Sequence, residues 1–260
     1  MAGFLIEKME INKVYQGDAL ELMRSMPDNS VDNVITSPPY NFCLRIHGDK
    51  YTKSSPAEKM HDLNVNKYTN GLSDSLSMEE YYDWQCKCIE QMLRVSRETV
   101  FYNIQLITGN KVALLRILGR FAENIREVMI WDKQTAEPAM SDKVLNSEYE
   151  FIIVFDNGDC KGRQFKTFNA ERGTLSNVVR IGKNKGGAHR AAFPLALPQW
   201  ILQNLTVAGG VILDPFLGSG TTAVACIREK RNFIGFELDE GYFDMAQKRI
   251  KTEQSQLTIF

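Results

Sequence analysis

The segment Ser37-Pro38-Pro39-Tyr40 places a hydroxyl, two rigid residues and a flat ring directly after an apolar run, Val31–Thr36. Each proline fixes its own φ and restricts the residue before it, so the chain leaves the run in a stiff, extended turn. The backbone carbonyls of this turn lack neighbouring N–H donors. Two interpretations follow: a stiff turn covered by a packed tyrosine, or a ligand-binding turn at the carboxyl end of a strand, where α/β sheets bind ligands.

A second segment, Val211–Thr222, runs from an apolar stretch into a loop that contains Gly218 and Gly220. Without a Cβ, these glycines allow backbone N–H groups and a helix N-terminus to approach a polar ligand closely, although a plain turn would contain similar glycines. Glu237 follows Gly218 by 19 residues, where an acid binds ribose hydroxyls in nucleotide-binding βαβ units. The absence of a lysine after Gly220 argues against a P-loop, and the missing third glycine and the preceding Asp214-Pro215 argue against a dinucleotide fingerprint.

Both segments must be positioned by regular elements, and apolar, β-branched runs alternate with helical patterns along the chain. This alternation predicts a doubly wound α/β fold with a mainly parallel sheet. The clearest helix is predicted from about Met78 to Ser96, because Ser77 and Glu80 form a capping box before an apolar stripe at helical spacing. Further helices are predicted from near Pro194, over Thr221 to Lys230, and from about Asp239 to Gln254. The predicted strands are Lys13–Gln16, Val31–Thr36, Thr99–Ile104, Glu127–Trp131, Tyr149–Phe155, Gly210–Leu213 and Phe233–Phe236.

Two long segments, Phe42 to Leu76 and Gly158 to Gly187, show no regular pattern, and loops of this length are usually functional or mobile. The net charge of −1 is unevenly distributed, because residues 157–190 contain eight basic and two acidic residues, a balance of 8 − 2 = +6 that leaves −7 elsewhere. Such a stretch is either a solvated loop or a nucleic-acid contact. We expect one domain over residues 1–260, with insertions at about 42–76 and 157–190.

The composition excludes several classes of protein. The chain has 43% hydrophobic and 24% charged residues, which is typical of a globular protein. The five cysteines have no CxxC spacing and the three histidines lie far apart, so we expect neither a disulfide framework nor a metal site. No apolar run approaches the roughly 18 residues of a membrane span, and the N-terminus lacks a signal-peptide core. We therefore expect a cytoplasmic protein without a membrane partner.

The motifs TSPPYN (residues 36–41) and DPFLGSGTT (residues 214–222) resemble those of the DNA amino-methyltransferases. Their order, SPPY first and the glycine loop last, is similar to the circularly permuted order of the β group of this family. The resemblance covers most of the chain and includes Gly17–Leu20, Pro27–Val31, Ser147–Phe151 and Ala188–Leu195. It implies a Rossmann-like, doubly wound sheet of the seven-stranded type, S-adenosylmethionine as the cofactor and double-stranded DNA as the substrate.

The resemblance also implies roles for particular residues. Ser37 Oγ and the Pro38 carbonyl would accept the two amino hydrogens of the target base, and Tyr40 would stack on that base once it leaves the duplex. Asp18 would bind the adenine amino group of the cofactor, although an N-cap role fits its spacing as well. The expected catalytic residues are Ser37, Pro38, Pro39 and Tyr40. The expected cofactor-binding residues are Asp18, Ala19, Asp214, Pro215, Phe216, Gly218, Gly220, Thr221 and Glu237. The expected DNA contacts are Lys161, Arg163, Arg180, Lys183, Lys185 and Arg190, and both insertions, at about 42–76 and 157–190, are expected to contact DNA.

The acceptor atom is a further expectation. Family members with serine before Pro-Pro-Tyr mostly methylate cytosine N4, and those with aspartate mostly adenine N6, so we expect cytosine N4 with adenine N6 as the alternative. Methylation of RNA or of a protein amide, and a catalytically inactive binding module, are further alternatives. Methylation at cytosine C5 is excluded, because that family uses a cysteine that follows a proline and none of the five cysteines does so.

Two departures from the family pattern are visible. Arg97–Val100 stands where many relatives have a Lys-Pro-Gly-Gly turn, which changes a turn and leaves the site intact. The segment that recognises the target sequence must be short, so the recognition sequence stays open. The resemblance also leaves open a cognate restriction endonuclease and a homodimer as partners.

Overall fold

The computed structural model describes residues 9–42, 44–47, 50–53, 76–137, 143–158, 162–183 and 193–257 of the 260-residue chain. Much of the predicted insertion at 42–76, and the candidate DNA contacts Lys161, Lys185 and Arg190, lie outside these described residues. Within them, no helix is long and apolar enough to cross a membrane, and no group of three or more His, Cys, Asp and Glu residues is arranged to hold a metal ion.

The fold is organised around one sheet. The strands in chain order are β1 (Lys13–Gln16), β2 (Val31–Thr36), β3 (Leu44–His47), β4 (Lys50–Lys53), β5 (Ser96–Ile104), β6 (Ile125–Glu137), β7 (Ser147–Asp156), β8 (Val178–Arg180), β9 (Val211–Asp214) and β10 (Asn232–Glu237). Eight of them form a single sheet in the order β1-β10-β9-β2-β5-β7-β6-β8, and β3 and β4 pair as an antiparallel hairpin.

The sheet is mainly parallel, as the sequence predicts. Neighbours from β1 to β5 in the sheet order are all parallel, β7 is antiparallel to β5 and β6, and β8 is parallel to β6. Strand β8 is an eighth strand beyond the expected seven, and it lies in the segment that shows no regular pattern. Three residues are too few to produce a periodic signal, and β8 is recognisable only from its pairing with β6.

Helices cover both faces of the sheet, which confirms the doubly wound architecture. The six described α-helices are α1 (Ala19–Ser25), α2 (Met78–Val95), α3 (Lys111–Arg120), α4 (Ala196–Leu205), α5 (Thr221–Arg228) and α6 (Glu240–Leu257). One hydrophobic core contains side chains of α1, α2 and α3, and a second core contains side chains of α4, α5 and α6. The capping box predicted for α2 is present, since Ser77 and Glu80 each bond through the side chain to the other's backbone N–H.

The two motif-bearing strands, β2 and β9, are neighbours near the centre of the sheet. After β2, the chain next enters the sheet at β5, which lies on the side of β2 away from β9. After β9, the chain next forms β10, which lies on the side of β9 away from β2. The strand order therefore reverses between β2 and β9, and open α/β sheets bind ligands beyond the carboxyl ends of strands at such a point. Thr36 and Asp214 end these strands, so both sequence motifs begin at this crevice.

Candidate active site

The turn formed by residues 37–40 leaves β2 and is held by side chains from two other elements. The Pro39 carbonyl accepts hydrogen bonds from Tyr81 Oη at 2.8 Å and from Gln85 Nε2 at 3.3 Å, both on α2. Tyr102 Oη of β5 donates in turn to Gln85 Oε1 at 2.7 Å. Because the prolines already restrict the backbone, these bonds hold the turn in one position relative to the sheet.

The hydroxyl of Tyr40 is the centre of a buried polar cluster. Its oxygen lies 2.9 Å from Ser37 Oγ, donates to Glu150 Oε2 at 2.8 Å and accepts from Asn103 Nδ2 at 3.0 Å. Asn103 Nδ2 also donates to Glu150 Oε2 at 2.8 Å, and Lys133 Nζ lies 3.5 Å from Glu150 Oε1. Burial, together with the negative charge of Glu150, raises the pKa of Tyr40 well above its ordinary value, so the phenol keeps its proton.

Three residues of this cluster, Asn103, Lys133 and Glu150, are absent from the candidates that the sequence suggests. All three are buried, and Lys133 is fully inaccessible to solvent. A usable signal was present: Asn103 and Glu150 interrupt apolar and aromatic strand sequences, and a buried amide or carboxylate requires a polar partner. Which partner it has depends on the sheet order, which the sequence pattern does not contain.

Asn41, directly after the turn, connects it to two further segments. Its φ is +63°, a conformation that asparagine tolerates better than most residues, and its side-chain amide donates to the carbonyls of Leu76 and Gly109, each at 3.0 Å. A Cβ added at Gly109 would lie 2.0 Å from the Asn41 carbonyl oxygen. The close approach of these two backbones therefore requires glycine at position 109.

Asp214, at the end of β9, is 2% exposed and bonds to three protein donors. Oδ1 accepts from Thr36 Oγ1 at 2.7 Å and from the Phe216 N–H at 3.1 Å, and Oδ2 accepts from Thr222 Oγ1 at 2.6 Å. Burial raises its pKa from the ordinary 3.8 to about 6, while these hydrogen bonds act in the opposite direction. Both carboxylate oxygens thus have protein partners, and Asp214 joins the strand of the turn to the glycine loop.

Glu237, at the end of β10, contacts the glycine loop directly. Its Oε2 accepts from the Gly218 N–H at 2.7 Å and its Oε1 from the Asp239 N–H at 2.9 Å. Burial raises the pKa of Glu237, opposed by the two backbone hydrogen bonds. The backbone carbonyl of Glu237 accepts from the Gly17 N–H at 3.0 Å, which brings the end of β1 to the same edge of the sheet.

The two loop glycines differ in their surroundings. Gly218 and Gly220 have φ values of +55° and +86°, which favour glycine. A Cβ at Gly220 would lie 3.2 Å from Ala246 Cβ, whereas one at Gly218 would meet nothing within 4 Å. Gly220 is therefore constrained by packing against α6, just before α5 begins at Thr221. Gly218 instead presents backbone to open space that a ligand can enter.

The remaining candidates of the cofactor site lie at the same edge. Asp18 caps α1, since its Oδ1 accepts from the Glu21 N–H at 3.0 Å, and the N-cap interpretation is confirmed. Its contact with an adenine stays a prediction. Ala19 and Pro215 are buried, and the ring of Phe216 lies 5.6 Å from the ring of Trp84, centroid to centroid. Phe216 thus packs against a side chain of α2 beside the glycine loop.

The described candidates for DNA contact are Arg163, Arg180 and Lys183. Arg163 forms an ion pair with Glu127 of β6, and Arg180 Nε lies 3.7 Å from Asp132 Oδ2 of the same strand. Both arginine side chains remain more than half exposed. Acidic residues of β6 thus neutralise part of the positive charge of this stretch, while the guanidinium groups still reach solvent.

Comparison with known proteins gave consistent matches. The sequence model of a family described as DNA methylase (N6_N4_Mtase) matches residues 31–248. Type II methyltransferase M.BglI of Bacillus subtilis is 48% identical over 310 residues, covering 93% of this chain and 86% of that protein. The solved structure of PvuII DNA methyltransferase (cytosine-N4-specific) has a TM-score of 0.66 and 20% identity, covering 94% of this chain and 91% of that one. The M1.HpyAVI–SAM complex has a TM-score of 0.60 and 22% identity, covering 92% and 98%. At these identities, the two structures establish a shared fold.

Proposed function

We propose, since the chain belongs to the DNA methylase family, that it methylates the exocyclic N4 amine of cytosine in double-stranded DNA. S-adenosylmethionine supplies the methyl group in this family. The observation that carries the proposal is the position of Ser37. Ser37 and Pro38 directly follow the carboxyl end of β2, at the point where the strand order reverses, and the Ser37 hydroxyl lies 2.9 Å from the Tyr40 hydroxyl.

The chemistry of the acceptor explains why this arrangement suits an amine. The lone pair of an exocyclic amine is delocalised into the ring, so the nitrogen is a weak nucleophile. Two acceptors that bind both amino hydrogens favour a pyramidal nitrogen with an available lone pair. Ser37 Oγ and the Pro38 carbonyl would be these acceptors, and among the described residues no donor bonds to the Pro38 carbonyl. Holding the reactants in this geometry can lower the barrier by roughly 7–11 kcal/mol.

The residues at the glycine loop fit the methyl donor. Gly218 leaves space beside its backbone for the methionine end of the cofactor, and Glu237 at the end of β10 stands where an acid binds ribose hydroxyls in nucleotide-binding units. The ring of Phe216, which packs against the ring of Trp84, would border the methionine end of the cofactor, and Asp18 would bind its adenine amino group. The residues that would hold the cofactor are Asp18, Ala19, Asp214, Pro215, Phe216, Gly218, Gly220, Thr221 and Glu237.

The basic stretch 157–190 is our candidate for the DNA contact. Its charge of +6 in a chain of net charge −1 is the main support. Each phosphate contact adds about 0.9 to the slope of log affinity against log salt. Replacing Lys183 and Lys185 by alanine should therefore reduce this slope, measured by fluorescence anisotropy with duplex DNA. An identical slope in the double variant would assign the stretch to a solvated loop.

Cytosine N4 is preferred over adenine N6 because of the serine at position 37. A hydroxyl is a shorter, neutral acceptor than a carboxylate, so it suits a pocket in which a small pyrimidine brings its amino group close to the main chain. The PvuII enzyme that shares this fold is described as cytosine-N4-specific, which supports the same choice. Adenine N6 is the second candidate, because the matching family includes both kinds of methylase.

Relatives described as type II methyltransferases support a cognate restriction endonuclease as a partner.

Mass spectrometry of DNA from a methylation-deficient host that expresses the protein tests the proposal. We expect N4-methylcytosine in DNA from the host that expresses the wild-type protein, and much less of it when the same host expresses Ser37→Ala at the same level. Finding N6-methyladenine would replace the base and retain the amine chemistry. Finding 5-methylcytosine, or no modified base with folded protein present, would refute the proposed function.

A further inference from the structure

The oxygen of Tyr40 has as many hydrogen-bond neighbours as a phenol can bind. A phenol has one proton to donate and can accept two hydrogen bonds. The three neighbours here are Ser37 Oγ at 2.9 Å, Asn103 Nδ2 at 3.0 Å and Glu150 Oε2 at 2.8 Å. Each of the three bonds therefore has one direction only, and that direction follows from the chemistry of the partners.

For two of the three partners, the chemistry of the group fixes whether it donates or accepts the hydrogen bond. The Glu150 carboxylate can only accept, and the Asn103 amide nitrogen can only donate. Tyr40 therefore donates its single proton to Glu150 and accepts a bond from Asn103. The remaining contact must run from Ser37 to Tyr40, since Tyr40 has no second proton. The proton of Ser37 thus points into the protein, and only lone pairs of its oxygen remain for a ligand.

We propose that Glu150 is a positioning residue that sets the direction of this hydrogen-bond chain and so makes Ser37 an obligate acceptor toward the target base. The inference rests on the proposed function, because an obligate acceptor matters for a base that brings amino hydrogens. An obligate acceptor at Ser37 would also select bases with an amino group over bases with a carbonyl at the same position. A pyrimidine with a carbonyl in place of the amine would bring its lone pairs against those of Ser37, and a buried polar contact left unmade is costly.

The surroundings of Glu150 support this role. Glu150 is 7% exposed, so little water competes for its oxygens. Lys133 Nζ, 3.5 Å from Oε1, balances the charge of the buried carboxylate and leaves Oε2 to Tyr40 and Asn103. The carboxylate also fixes the Asn103 amide, because the amide oxygen turned toward Oε2 would be repelled. Strands β5, β6 and β7 thus each contribute one residue to the same short chain of contacts.

The test compares two substitutions of Glu150 in a Lys133→Met background, which removes the buried ammonium together with its partner. In Lys133→Met/Glu150→Gln, the amide oxygen can still accept from Tyr40 and Asn103, and kcat should stay within a few-fold of wild type. In Lys133→Met/Glu150→Met the acceptor is lost, Tyr40 can donate to Ser37, and kcat should fall about tenfold or more, the rate equivalent of one lost hydrogen bond. Glu148→Met, an exposed change on the same strand, is the control that should retain kcat. Affinity for S-adenosylmethionine should be unchanged in all of them.

A second comparison separates this role from general damage to the fold. Tyr40→Phe keeps the ring and breaks the chain, so it should lower kcat to a similar extent. Adding Lys133→Met/Glu150→Met to Tyr40→Phe should then change kcat less than twofold. Equal kcat for the Gln and Met variants, additive losses with Tyr40→Phe, or full activity of folded Tyr40→Phe would each overturn the inference. In any of these cases, a methylated exocyclic amine in DNA from the host that expresses the wild-type protein would leave the proposed function standing.

Discussion

The proline turn (residues 37–40) and the glycine loop (residues 215–220) meet at one edge of the sheet but are held by different kinds of contact. Side chains from α2, β5 and β7 hold the turn by bonding to the Pro39 carbonyl and the Tyr40 hydroxyl. The glycine loop is held through its own N–H groups, which bond to carboxylates at the ends of the strands before and after it. The turn is thus fixed through side chains, whereas Gly218 of the loop borders open space. This difference predicts that substitutions in the turn change the rate and substitutions in the loop change binding and folding.

The largest expected effect concerns the turn. Ser37→Ala should lower the methyl-transfer rate about 10²–10³-fold, as for other single hydrogen-bond partners of a transition state, with S-adenosylmethionine affinity unchanged. Single-turnover kinetics and calorimetry measure the two quantities. Ser219→Ala is the matched control, because Ser219 lies in the glycine loop and its Oγ accepts from Arg249 at 3.3 Å. A parallel loss of rate in both variants, or of cofactor affinity in Ser37→Ala, would remove the distinction between the two regions.

An intermediate effect is expected from Asp214, where the two regions are joined. Its pKa in the folded protein, about 6, lies above its ordinary 3.8, so protonation favours the folded state. This contribution is fully present below about pH 3.8 and is lost as the pH rises through about 6, a change of roughly 3 kcal/mol. Asp214→Asn cannot titrate at this position. Urea unfolding at several pH values should therefore show wild type gaining stability relative to Asp214→Asn as the pH falls from 7.5 to 4.5. A pH-independent difference would contradict the raised pKa.

The smallest effect is expected within the loop. Gly218→Ala should destabilise the protein by about 1 kcal/mol, because a φ of +55° is strained for a residue with a Cβ even though the added methyl meets open space. Lys230 has the same φ of +55°, so Lys230→Gly is the reverse control and should stabilise by a similar amount. Thermal unfolding of both variants measures the pair. Destabilisation of several kcal/mol by Gly218→Ala would show that the space beside Gly218 is not open.

Local pattern predicted much of the fold. Strands β1 and β2 have the predicted bounds, and α2 ends within one residue of its prediction, because alternation, capping and helical spacing are properties of neighbouring residues. Helix α3 was missed: Asn110 makes no side-chain cap at its N-terminus, and the start signal is therefore weak. The only sequence signal for helix α1 is the N-cap interpretation of Asp18. Strand β8 depends on its partner strand rather than on its own sequence.

The residues of the candidate site likewise fall into those that local sequence indicates and those that only the sheet order brings together. The sequence indicates the turn and the glycine loop, because prolines and glycines impose their geometry locally. It does not indicate Asn103, Lys133 or Glu150, which meet only because β5, β7 and β6 are neighbours in the sheet. It also places Asp214 among the cofactor contacts without revealing that both of its oxygens bond to threonines or backbone. The contact of Asp214 with the cofactor stays a prediction.

The Asp214 carboxylate accepts one hydrogen bond from Thr36 and one from Thr222, so a single side chain spans the gap between the two motifs. Thr36 immediately precedes Ser37, and Thr222 lies in the first turn of the helix that follows the glycine loop. The contacts that fix the spacing between the proline turn and the glycine loop therefore lie outside the long segments around 42–76 and 157–190. If those segments contact the DNA, as proposed, changes in their length or sequence would alter the target sequence and leave unchanged the distance that the methyl group crosses.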